Sequence, residues 1–355
     1  MTKEVFDVVV VGGGAMGSAA AWQLARRGVS VALLVRFHAG HHIGSSHGAS
    51  RMFRANFADP VYLPLAREAA TQWRELEDLT GSTLLTITGG VDHGRHPAIR
   101  QLAEGLQAAG VDYKWLSTQE ATERRPGIRF ETQVLYHPES GLIHADNAVA
   151  ALQQSAENLG AIVRHESPVT SNEVSADESV VEVHTGNDVY QARRVVVAVN
   201  SWAKKLIGHQ VQLPTLRITQ EQPAHFAPKV DESLWPCFGQ LFQRDTEEGR
   251  LFHGGIYGMA TPGEGIKVGF HGVGPVVDPD ERDFLPDLSL MQDLREYVRR
   301  YVPGADPDSY TPISCTYTTT ENDHFVLDRQ GPIVVATGFS GMGFKFVPAI
   351  GRVLA

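Results

Sequence analysis

Val8-Val9-Val10-Val11 runs directly into Gly12-Gly13-Gly14, and this junction constrains the fold more than any other part of the chain. Four β-branched residues in a row favour a strand buried on both faces, and the glycines force a tight turn behind it. Ala15 to Arg27 is rich in small residues and closes on Gly28, and Val29 to Val35 reads as a second apolar strand. Strand, glycine turn, helix and strand make a βαβ unit with a right-handed crossover.

The turn has the spacing Gly12-x-Gly14-x-x-Gly17. Gly12 permits the turn, Gly14 lets a pyrophosphate approach the backbone, and Gly17 lets helix pack on strand. The helix N-terminus, with Ala15 and Met16 in its first turn, offers N–H groups and a positive dipole end to phosphates. This reads as a dinucleotide site. An acidic residue is expected at the end of the second strand to take the ribose hydroxyls, but the chain reads Leu33-Leu34-Val35-Arg36-Phe37 there. Arg36 suits NADP in a nicotinamide enzyme, whereas an FAD enzyme would lose a hydrogen-bond partner worth about 1–3 kcal/mol. The glycines alone do not choose between them.

Apolar spacing predicts three later helices: Leu65, Ala69, Trp73 and Leu76 share one face, as do Ala148, Leu152, Ala156 and Leu159, and Leu290, Leu294, Val298 and Tyr301. A hairpin is expected between Val180 and Val199, turning at Gly186-Asn187 and ending in the buried run Val195-Val196-Val197. Pro214 to Gly274 reads as a separate antiparallel sheet. Ile333 to Ala336 is a last buried strand, followed by a glycine-rich turn from Gly338 to Gly343 and a final helix. The nucleotide layer therefore draws on both ends of the chain. The expected fold class is α/β plus α+β, a Rossmann-like domain with an inserted antiparallel-sheet domain. The expected division places residues 1–88, 140–212 and 308–355 in the cofactor domain, and 89–139 and 213–307 in the substrate domain.

Net charge narrows the partners. At −10 over 355 residues, the chain lacks the positive field that nucleic acid or an anionic membrane surface requires. It has no apolar stretch of about 18 residues, so no membrane span is expected. Two cysteines, Cys237 and Cys315, cannot build a disulfide framework. His38, His41, His42 and His47 cluster in a loop, but their spacing fits no zinc pattern and no metal is expected. A cytoplasmic protein is the expectation.

Three further segments choose the cofactor: Gly44-Ser45-Ser46-His47-Gly48-Ala49-Ser50-Arg51-Met52-Phe53-Arg54, Ser314-Cys315-Thr316-Tyr317-Thr318, and Gly338-Phe339-Ser340-Gly341-Met342-Gly343-Phe344-Lys345-Phe346. With the N-terminal glycine turn they resemble the monomeric sarcosine oxidase and N-methyltryptophan oxidase family. Arg125-Pro126-Gly127-Ile128, Ser140-Gly141-Leu142 and Ile266-Lys267-Val268-Gly269-Phe270-His271 extend the resemblance along the chain. The resemblance implies an FAD-dependent oxidase of a secondary amino acid, N-methyl or cyclic. A hydride passes to flavin, and dioxygen is then reduced to hydrogen peroxide.

It also implies residue roles. Cys315 would carry the flavin through a thioether, a task that uses the thiolate form of a cysteine. Arg51 and His47 would lie beside the flavin ring, where a cation stabilises the charge of the reduced form. Arg54 and Lys345 would hold the substrate carboxylate, for which the planar arginine fork is suited. Lys267 would assist dioxygen electrostatically. His271, Tyr257 and Tyr317 would surround the amine. Gly341, Gly343 and Phe344 would bring backbone N–H groups to the flavin, and Ser45, Ser50, Val169 and Trp202 are further implied cofactor contacts. A small amine bearing a carboxylate, dioxygen and a monomeric state follow from the same resemblance.

The chain departs from the family in three places: Met342 stands where histidine is usual, Asn200 where glycine is usual, and Val35-Arg36 where an acid is usual. Two other functions stay open at this point. One is an FAD oxidoreductase for a different carbon–nitrogen substrate, such as a glycated amino acid or a natural-product intermediate; the other is a catalytically silent dinucleotide-binding protein.

Overall fold

The valine run forms the middle of the strand Lys3–Val11, which lies inside a sheet because both of its faces are apolar. The computed structural model describes residues 3–54, 59, 61–108, 110–186 and 188–355. Val31–Leu34 pairs in parallel on one side of Lys3–Val11 and Val189–Val197 in parallel on the other. Ile162–Arg164 continues the parallel order past Val31–Leu34. Val189–Val197 has two partners along its outer edge: its first half takes the hairpin strand Val181–Thr185, and its second half takes Ile333–Thr337 in parallel. Val169–Val174 and Val326–Gln330 close the two ends antiparallel. Asn187, half of the turn expected in the hairpin, lies outside the described residues.

Alternate residues of the central strand serve opposite cores. Val8 and Val10 pack under helices Ala15–Arg26, Tyr62–Thr80, Ala145–Asn158 and Val347–Leu354, while Val9 and Val11 meet Val183, Val195 and Val335. The helices sit close because small residues face one another: a Cβ on Gly351 would stand 2.7 Å from the Cβ of Ala19. Leu159 does not extend the face of Ala148, Leu152 and Ala156 as its spacing predicts. The helix ends at Asn158, and Leu159, one step past it, is 51% exposed. In Leu288–Tyr301 the buried stripe is Met291, Leu294, Tyr297, Val298 and Tyr301, with Leu290 only half-buried at the first turn.

The second large sheet runs in the order Ala305–Pro312, Ala224–Pro228, Gly265–Phe270, Gly255–Thr261, Cys237–Leu241, Gly90–Gly94, Val134–His137, Lys114–Leu116. Pro214 to Gly274 is therefore not a separate sheet. Its strands form the middle of a larger one, and Cys237–Leu241 pairs in parallel with the distant Gly90–Gly94. Arg217–Glu221 leaves that sheet to pair with Cys315–Thr319. Helix Leu288–Tyr301 covers one face of the sheet, where Phe226, Phe238, Ile266 and Val268 are buried. Strand alternation then sends Lys267, between Ile266 and Val268, to the opposite face. A small sheet of Arg51–Phe53, Gly141–Ile143 and Leu85–Ile87 lies beside these two. The architecture is α/β plus α+β, as the sequence predicts. Among the described residues no helix is long and apolar enough to cross a membrane.

Candidate active site

A cleft of about 850 Å³ is lined by residues from both large sheets, a volume near the top of the range for small-molecule sites. At one end Gly12, Gly14, Ala15 and Met16 line it, where helix Ala15–Arg26 begins. Gly14 is the N-cap and brings no side chain, and the Ser46 hydroxyl accepts the Ala15 N–H at 3.0 Å. Gly12 adopts φ +106°, and a Cβ there would stand 2.6 Å from the Ala198 carbonyl oxygen. Gly17 lies below the cleft wall; its Cβ would sit 1.8 Å from the Gly12 carbonyl oxygen, so only glycine lets helix and turn meet.

Arg36, Val169 and Trp202 line the same end. Arg36 pairs with Asp280 at 2.9 Å, Trp202 Nε1 donates to that carboxylate at 2.8 Å, and Lys205 reaches it at 2.6 Å. Burial works against the charge of Asp280, but these three donors hold it at about 2. A carboxylate does stand beside the end of the second strand, supplied by a residue 244 positions away. Nothing local in the sequence marks it.

The middle of the cleft holds Ser45, Ser50, Arg51, Lys267 and Cys315. The Ser45 hydroxyl donates to the Thr316 carbonyl at 2.7 Å, and buried Ser50 shares a 2.7 Å hydrogen bond with Thr261. Arg51 is pinned by main-chain carbonyls: Ser50 at 2.8 Å, Ser45 at 3.0 Å and His47 at 2.6 Å. Its guanidinium carbon stands 5.7 Å from the Phe344 ring centroid, which ties the early loop to the late one. His47 is outside the cleft wall and stacks on His42 at 5.1 Å. Burial, then the charge of Arg51, pulls its imidazole down to about 3, so the positive charge at this corner belongs to Arg51. Burial pushes the Cys315 thiol up, against the pull of Arg51 and Lys267. Burial and then Arg51 bring Lys267 down to about 7. Asn200 adopts φ +44°, the left-handed region where glycine is free and asparagine is tolerated. That accounts for glycine being usual at its position.

Arg54, Lys345, Tyr257, His271 and Tyr317 gather at the other end with Met342. Arg54 Nη1 donates to Asp92 at 2.6 Å, while its Nε and Nη2 are buried with no hydrogen-bond partner among the described residues. Lys345 Nζ donates to the Met342 carbonyl at 2.8 Å; burial and then the charge of Arg54 lower it to about 7. The His271 and Tyr317 rings lie 5.2 Å apart. Burial pushes both phenols up and His271 down, so all three stay uncharged near neutral pH. Gly341, Gly343 and Phe344 complete the wall. A Cβ on Gly341, at φ +72°, would stand 2.2 Å from the Tyr317 ring.

Of the residues singled out from the sequence, only His47 and Gly17 lie off the cleft wall. Sequence reasoning missed Asp92, Asp280, Met52 and Met259, which line it. Strand alternation beside Val91 could have pointed Asp92 inward, but no motif marks it. The lining fits a dinucleotide: a glycine turn at a helix N-terminus, polar and cationic groups, and a guanidinium edge without an acceptor among the described residues.

The chain matches the DAO family, FAD dependent oxidoreductase, over residues 7–355. Monomeric sarcosine oxidase of Bacillus sp. (strain NS-129) is 31% identical over 364 residues, covering 99% of this chain and 92% of the relative. N-methyl-L-tryptophan oxidase of Shigella sonnei (strain Ss046) is 26% identical over 365 residues, covering 99% and 94%. Among solved structures, NikD, an unusual amino acid oxidase essential for nikkomycin biosynthesis, superposes with a TM-score of 0.89 at 27% identity, covering 99% of this chain and 93% of its own. With the match spanning nearly every residue that forms the cleft, the chain belongs to the DAO family and is an FAD-dependent amine oxidoreductase.

Proposed function

We propose that this protein oxidises a secondary amino acid, N-methyl or cyclic, with dioxygen as final acceptor and hydrogen peroxide as product. The observation that carries the reading is that Arg54 and Lys345, basic residues from opposite parts of the chain, line one cleft. Bound FAD supplies the two-electron acceptor for the carbon–nitrogen bond, held by the Gly12–Met16 turn, Ser45, Ser50, Arg51 and the Gly341–Phe344 loop, and tethered at Cys315.

Arg54 and Lys345 bind the carboxylate and so fix the position of the amine carbon; such fixing supplies much of the rate in a directional transfer. His271, Tyr257 and Tyr317 orient the nitrogen. Because none of the three carries charge, the substrate nitrogen is favoured in its neutral form, the form that can be oxidised. Arg51 supplies a fixed positive charge, and the Lys267 ammonium stabilises negative charge developing on dioxygen. Residues 1–88, 140–212 and 308–355 hold the cofactor and 89–139 and 213–307 shape the substrate site, in a cytoplasmic monomer.

The test is the visible spectrum of the purified protein before and after acid precipitation, then anaerobically with sarcosine, N-methyltryptophan and cyclic imino acids. Bleaching by one of them, with peroxide formed on readmitting air, supports the reading. A yellow protein that none of them bleaches excludes the substrate class. Met342 and the likeness to NikD favour a second reading, oxidation of a different carbon–nitrogen compound. Oxygen uptake across a panel of amines separates the two.

A further inference from the structure

Arg54 does not project freely into the cleft. Its Nη1 donates to Asp92 Oδ1 at 2.6 Å. Asp92 Oδ2 accepts from His137 Nε2 at 2.9 Å, and His137 Nδ1 accepts from the Ser140 hydroxyl at 2.5 Å. Asp92, His137 and Ser140 are 1%, 2% and 1% exposed. Two glycines make room for this line of groups. A Cβ on Gly239 would stand 2.6 Å from Asp92 Oδ1 and 3.0 Å from Arg54 Nη2, and one on Gly90 would stand 2.1 Å from the His137 ring.

Arg54 lines the cleft, and with Nη1 held by Asp92 the edge of the guanidinium left for a ligand is the opposite one. Nε and Nη2 form that edge, and both are buried without an acceptor among the described residues. Buried donors without acceptors are costly, and two parallel N–H groups match the two oxygens of one carboxylate. A long arginine side chain would otherwise have many rotamers to lose on binding.

We propose that Asp92, backed by His137 and Ser140, is a positioning residue that sets Arg54 so its Nε–Nη2 edge receives the substrate carboxylate. This rests on the reading of Arg54 as a carboxylate anchor. It also absorbs Ser140, part of a motif otherwise without a role: its hydroxyl fixes the His137 tautomer, which in turn holds Asp92.

The test uses two probes of sarcosine's shape, methoxyacetate and its uncharged counterpart methoxyacetamide, titrated against the visible band of the holoenzyme. Asp92→Asn is expected to weaken methoxyacetate about tenfold or more and methoxyacetamide less than about twofold, a contrast that a general loosening of the fold would not give. Arg54→Met should weaken methoxyacetate at least as much. If Arg54→Met leaves methoxyacetate unchanged, or the parent protein gives no response, the anchor reading fails. If Arg54→Met weakens it and Asp92→Asn does not, the positioning role fails. Should Asp92→Asn not fold, Ser140→Ala removes one hydroxyl and should weaken methoxyacetate about threefold; unchanged binding in that variant overturns the proposal.

Discussion

Lys267 donates to the main-chain carbonyl of Ser50, 3.3 Å away and 217 positions distant in sequence. The ammonium is the stronger donor to that carbonyl, but one long bond does not offset the cost of burying the charge. With burial and Arg51 both acting against the charge, the lysine is poised at about 7. Its state near neutral pH is therefore set by small changes around it.

Reaction of the reduced protein with dioxygen should depend on that charge. Lys267→Met is expected to slow it by about 10² while changing the amine step little. In the parent protein the same rate should fall as pH rises through about 7. Stopped-flow mixing of reduced protein with oxygenated buffer checks both, and an unchanged rate in the variant removes Lys267 from this step.

Lys345 should shape the pH dependence of substrate capture. Raising pH frees more neutral amine, which helps, but strips the proton from Lys345 above about 7, which weakens carboxylate binding. The profile of kcat/KM should be bell-shaped, since that ratio reports groups of the free enzyme. Lys345→Arg keeps its charge throughout, and its profile should lose the falling limb.

The same two lysines link stability to pH. In the folded protein both lose their proton at about 7, against an ordinary value of 10.5. Between those values the unfolded chain binds more protons, so stability from these groups rises with pH. Tm of the cofactor-free protein should climb between about pH 7 and 9.5, and the double variant Lys267→Met/Lys345→Met should flatten that slope.

Cys315 decides where the colour goes. If it carries the cofactor, acid precipitation of the parent leaves the yellow in the pellet, and Cys315→Ala releases it to the supernatant. Colour in the parent supernatant would remove the tether but leave the cofactor itself in place.

Gly341→Ala should disturb the substrate end without touching a polar group. The new methyl would meet the Tyr317 ring at 2.2 Å on a backbone at φ +72°. A loss of about 1–3 kcal/mol is expected, with a raised KM as Tyr317 shifts. Thermal melts and steady-state kinetics read the two effects.

The parts of this molecule that were legible in the sequence are those where neighbours in the chain do the work together. The Val8–Val11 run and the three glycines after it define strand, turn and helix start locally. Arg51, Cys315 and Lys345, which line the cleft, stood out in the sequence because each lies within a dense motif. Asp92 and Asp280 were missed because their partners, Arg54 and Arg36, lie 38 and 244 positions away, and an isolated aspartate has no local signature. The parallel pairing of Cys237–Leu241 with Gly90–Gly94 was hidden for the same reason: no turn joins the two strands. Arg36 itself looked like a departure in the sequence, and only the folded chain shows that it pairs with Asp280.

Ser45 touches Thr316 and Trp73 holds the Lys345 carbonyl, contacts that join positions 271 and 272 residues apart. A chain still emerging from the ribosome without its last strands lacks the wall of the cleft that Cys315 to Lys345 supply. The complete site is therefore assembled late, and binding there should tighten the contact between early and late segments in the loaded form.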